Sequence, residues 1–184
     1  MFSCKTDTEQ INSATKDAEK STQSNSDSPQ LLKQFNTLRE MVEYSYEFYE
    51  VDGTLKFISE EDSNLHIQIS SPIFELDQEI IKEQIVKRDI IYFAFQSFAK
   101  TNIDKLTITS IPISAENDHQ YCEEYKKTIT IDRTNAKLIL KKFLNSEDFS
   151  ILYDKNTNAW IKNANFNKLL YENIHEVFAE MSKK

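Results

Sequence analysis

Apolar positions along the chain follow two periods, and the switches between them predict its elements. Ser28-Pro29 pairs an N-cap residue with a proline suited to the first helical position, and Leu31, Phe35, Leu38 and Val42 then recur at helical spacing. A helix is expected from about 29 to 42. Beyond it Tyr44, Tyr46 and Phe48 alternate with Ser45 and Glu47, the period of a strand from about 43 to 51, while the stripe Leu38-Val42-Tyr49 would instead carry the helix on to about 49. Asp52-Gly53 holds the chain's single glycine. A type I′ turn needs the positive φ that glycine adopts without strain, so the pair predicts a hairpin into Leu55 and Phe57.

After the acidic turn Glu60-Glu61-Asp62, Leu65, Ile67 and Ile69 alternate with polar residues as a half-buried antiparallel strand. Asp77 is placed to cap a long helix through Ile81, Ile85, Val86 and the run Ile90 to Phe95, apolar almost all round and expected at the centre of the core. Leu106 and Ile108, then Ile111 and Ile113, alternate with a slip near Ser110 that suggests a bulge. Ile129 and Ile131 offer its partner strand, Thr134 caps a following helix, and Phe166 to Met181 forms an amphipathic terminal helix. The sum is an α+β domain over residues 29–184, an antiparallel sheet of four or five strands with helices packed on one face, after a polar tail over 1–28.

Composition narrows the function classes. A net charge of −8 and only three arginines, Arg39, Arg88 and Arg133, argue against nucleic-acid binding through a basic patch. One glycine rules out P-loop and dinucleotide-binding loops. No apolar run approaches the roughly 18 residues that span a bilayer. Two cysteines, Cys4 and Cys122, are too few for a disulfide framework.

Phe2-Ser3-Cys4 resembles the end of a bacterial lipoprotein signal, where a small residue precedes a cysteine that becomes acylated, and Lys5 to Ser28 resembles the polar tether that follows. The resemblance implies a lipid anchor on Cys4 and a place in the cell envelope, on the periplasmic face. A cytoplasmic protein with a polar N-terminus is the alternative.

Catalytic signals are sparse. Within Asp118 to Glu124, His119 and Cys122 have the residue types of a metal or thiolate site, but no second Cys/His pair completes four zinc ligands, and a polar loop is expected. No catalytic residue, metal or cofactor is assigned. Tyr44, Tyr46 and Phe48 on one strand face, together with Trp160, are the candidate partner-binding residues, although the same side chains would also serve to pack on the long helix. The expectation is a non-enzymatic envelope lipoprotein that binds another protein. The alternative is a soluble acidic inhibitor or immunity-type protein steered onto a basic partner by charge.

Overall fold

The computed structural model describes residues 33–117, 120–154 and 159–183; the expected tail and Cys4 lie outside them. The fold is α+β. Its elements are α1 (Leu38–Ser45), β1 (Leu55–Ser59), β2 (His66–Ile69), β3 (Pro72–Ile73), α2 (Glu79–Lys100), β4 (Lys105–Ser110), β5 (Ile113–Ser114), β6 (Lys127–Asp132), α3 (Arg133–Leu144), α4 (Ala164–Asn167) and α5 (Ile174–Met181).

α2 is the central helix that its apolar run predicts, with Val86, Ile90, Ile91, Phe93, Ala94 and Phe95 all fully buried. Its N-cap is Gln78 rather than Asp77, whose carboxylate instead accepts from the Phe74 N–H at 2.9 Å. The main sheet runs β1-β2-β4-β6. β2 pairs antiparallel with β1, and β4 pairs antiparallel with β6, but β2 and β4 are parallel, so the sheet is mixed rather than antiparallel throughout. The cause is α2 itself, which carries the chain from the end of β2 back to the start of β4 as a crossover connection. Ile67, Ile69, Leu106, Ile108 and Ile131 face the helices and are buried. The opposite face carries cross-strand hydroxyl pairs, Thr107 with Thr130 and Thr109 with Thr128, each at 2.8 Å.

Several local expectations give way to long-range contacts. Among the described residues the first helix begins at Leu38, and 33–37 of the expected helix are not helical: Phe35 bridges to Thr101 and its N–H donates to the Lys100 carbonyl at 2.9 Å, which holds the approach extended until Thr37 caps the helix. Residues 43–51 form no strand. α1 continues to Ser45 and stops at Tyr46, which adopts left-handed φ 53. Asp52-Gly53 turns without a hairpin, because only β1 on its far side joins the sheet; Gly53 still takes φ 75.

The slip near Ser110 is a change of sheet rather than a bulge. Ile111 makes the last rung to Ile69, Pro112 has no N–H to offer, and Ile113 leaves to pair with Pro72 in a separate two-stranded sheet of β3 and β5. α3 is capped by Asp132, which accepts from Asn135 N–H, and not by Thr134. The terminal helix is split by a π-helical turn over Lys168–Glu172, where both the backbone and the side chain of Asn173 donate to the Lys168 carbonyl.

Candidate functional site

Lys33 links two of the aromatic candidates, Trp160 and Tyr44. The Trp160 indole donates to the Lys33 carbonyl at 2.9 Å and meets Tyr153 edge-on, ring centroids 4.8 Å apart. Lys33 lies over Tyr44, 4.7 Å from the ring centre, and Tyr44 in turn packs on Phe35. Phe48 tucks against Phe93 in the core, whereas Tyr46 is 73% exposed. Phe48 and half-buried Trp160 therefore pack against the core, and of the four only Tyr44 and Tyr46 are substantially open to solvent.

Beneath this cluster lies Lys100, 5% exposed, with its ammonium 5.8 Å from the ring centres of both Tyr153 and Trp160. Burial, reinforced by the Lys162 charge, pushes its pKa down to about 8 against an opposing pull from Glu47. The Tyr92 hydroxyl donates to the Glu47 carboxylate, and the buried Tyr153 hydroxyl has no hydrogen-bond partner. The arrangement is a cation held by aromatic faces, a packing solution for a charge on a core helix.

A second region has the form of a docking surface. Where β3 and β5 meet the first turn of α2, a cleft of about 320 Å³ opens, with Phe74, Tyr121 and Tyr125 among its walls and Glu75, Glu116 and Glu124 supplying negative charge. Lys82 is the cation in its lining, and Glu79 holds it at 3.2 Å and raises its pKa. Beside the cleft, Leu76 is 94% exposed, Phe74 55% and Ile80 54%, with Ile81 also open to solvent.

Sequence reasoning missed this face. Ile81 read as a core position of the long helix, and Phe74 and Leu76 fell between elements. Their spacing of two between Pro72 and Asp77, just ahead of a helix start, was the available signal, but periodicity alone does not say that such a turn projects outward.

Cys122 lines the cleft, its thiol donating to the Gln120 carbonyl at 3.9 Å, and burial together with Glu124 pushes its pKa up, away from a reactive thiolate. His119 and Asp118 lie outside the described residues. Among the described residues no group of three His, Cys, Asp or Glu side chains is placed to hold a metal ion. His66 bonds the Thr109 hydroxyl through Nε2 at 2.9 Å, and burial lowers its pKa. No helix among the described residues is long and apolar enough to cross a membrane. Comparison with protein families, curated proteins and solved structures found no match to the chain.

Proposed function

We propose that this chain is a non-enzymatic envelope lipoprotein whose α+β domain binds another protein through the face made by Phe74, Leu76 and Ile80 and the acidic cleft beside them. The observation that carries the reading is the exposure of Leu76, at 94%, amid three further open apolar side chains of the same short segment. Grouped apolar side chains with a charged rim have the anatomy of a protein-binding site, where anchors supply affinity and charges supply approach rate and choice of partner. The carboxylates Glu75, Glu116 and Glu124 favour a basic partner. Cys4 and the polar residues after it support the lipid anchor by their resemblance to lipoprotein signals. The reading requires no cofactor, and the charge of −8 disfavours nucleic acid.

That same charge favours a second reading, a soluble acidic inhibitor or immunity-type protein that would use the same face without an anchor. One pair of experiments tests both. A photo-crosslinking residue at Leu76, expressed in the native host, is expected to capture a partner that the same residue at Leu138 on α3 does not, with capture falling as salt rises. Equal capture from the two positions, or none, would sink the binding face. Intact mass and fractionation of the protein expressed from its own locus separate the readings: an acylated Cys4 in the membrane fraction supports the anchored form, and an unmodified Cys4 in the soluble fraction supports the inhibitor.

A further inference from the structure

We infer that two copies of this chain associate through β6, edge to edge and antiparallel, joining their main sheets about a twofold axis. The inference does not depend on the docking face proposed above. An edge strand presents unpaired N–H and C=O groups, and proteins block such edges with proline, bulges or covering loops. Two edges of this fold are blocked. At β3, Pro72 has no donor, the Phe74 N–H is taken by the Asp77 carboxylate at 2.9 Å, and the Phe74 carbonyl accepts the Asp77 N–H at 3.1 Å. At β1 the register slips between Phe57 and Ser59, and the Leu55 N–H is held by the Tyr49 carbonyl at 3.0 Å.

β6 has neither proline nor bulge, and its lysine, Lys127, stands at its first position. All six of its residues stay in register with β4, and the Arg133 N–H extends the ladder to the Asp104 carbonyl at 2.7 Å. Because antiparallel hydrogen bonding alternates along a strand, that rung places the Lys127, Ile129 and Ile131 backbones toward β4 and turns those of Thr128 and Thr130 outward. Both threonines are exposed, and among the described residues no other strand pairs with β6.

The occupant that fits this edge is the same edge of a second copy. With Ile129 opposite its own symmetry mate, Thr128 of each copy falls opposite Thr130 of the other, so the outward backbone groups of both meet partners. The cross-strand threonine pairing already present between β4 and β6 would repeat across the junction. In this register Lys126, which pairs with Glu123 in the single chain, falls opposite Asp132, giving a pair of opposite charges on each side of the axis. A shift of one residue would set the outward backbone groups of one copy against groups of the other that already face β4, and moving the axis to Thr130 would set Lys127 against Arg133, like against like. Twofold pairing of identical patches is the commonest form of oligomer.

The test uses the full chain carrying Cys4→Ser and Cys122→Ser. Light scattering across a concentration series is expected to give twice the chain mass at high concentration. Ile129→Cys in that background should yield an interchain disulfide on mild oxidation, and Lys56→Cys on β1 should not. Thr130→Pro removes an outward N–H, along with the hydroxyl pair to Thr107 inside the chain, and is expected to weaken the dimer at least about tenfold. Thr128→Lys with Thr130→Lys, which sets lysines opposite one another, should do the same in a salt-dependent way and serves if the proline variant fails to fold. A single-chain mass at every concentration, a dimer that neither folded variant weakens, or a disulfide formed equally from position 56 would overturn the inference.

Discussion

Arg133 Nη2 donates to the Thr101 carbonyl at 2.6 Å, while Nη1 and Nε reach the carbonyls of Phe98 and Ile103, each at 2.9 Å. The first residue of α3 thus closes the C-terminal end of α2 and the turn into β4. The last carbonyls of a helix lack intrahelical donors and carry the negative end of its dipole, so a planar cation with several donors suits the place. Arg133→Met is expected to cost about 2–4 kcal/mol, and Arg133→Lys, with one charge centre for three carbonyls, to recover less than half of that. Urea unfolding midpoints of the three proteins decide it; a lysine variant equal to wild type would show that charge alone is needed.

Asp89 is buried on α2, with the Ser110 hydroxyl 3.5 Å from its carboxylate. Burial dominates over hydrogen bonding from Ser71 and Ser110 and the Arg88 charge, raising its pKa from 3.8 to about 6. A carboxyl whose pKa is raised by folding contributes stability below its unfolded value and loses it as pH climbs through the folded one. Asp89→Asn should therefore be more stable than wild type at pH 7, by up to about 3 kcal/mol, with the advantage vanishing near pH 4. Denaturant titrations of both proteins at the two pH values check this, and a difference independent of pH would refute it.

Lys100 carries the opposite sign. Its pKa falls on folding from 10.5 to about 8, so the charged amine opposes folding at pH 7, and the penalty is relieved as pH rises through that interval. Lys100→Met, similar in length and apolar, is expected to gain roughly 1–3 kcal/mol at pH 7, offset in part by the lost contacts with Tyr153 and Trp160. The gain should shrink between pH 8 and pH 10. Thermal unfolding across that range provides the measurement, and a variant less stable at pH 7 would mean that the aromatic contacts outweigh burial of the charge.

Gly53 stands at φ 75, its carbonyl accepting the Tyr121 hydroxyl at 3.1 Å, and an added Cβ would lie 3.4 Å from that same oxygen. Gly53→Ala combines left-handed backbone strain with this close contact and should cost about 1–2 kcal/mol, whereas Gly53→Asn, which tolerates the conformation better, should cost less. Chemical denaturation ranks the pair; equal losses would place the cost in the Tyr121 contact and not in the backbone.

Burial periodicity belongs to the chain alone, and by itself it determined α2, the inward faces of β2, β4 and β6, the pairing of Ile129 and Ile131 with the strand before them, and the α+β class. The same is true of the positive φ at Gly53, since that requirement is local to the turn. Only the tertiary structure decided which strands are neighbours and in which direction, because alternation says which face a residue takes and nothing about the strand beside it. Local signals were overruled where a long-range partner offered more: the Lys100 carbonyl draws Phe35 out of a helix, and Pro72 draws Ile113 into a second sheet. The candidate surface follows the same division. Trp160 and Phe48 could be read as either anchors or core from the sequence, and packing on Tyr153 and Phe93 assigned them inward, while Leu76 and Phe74 were left outside on the turn between β3 and α2, whose backbone the Asp77 carboxylate holds.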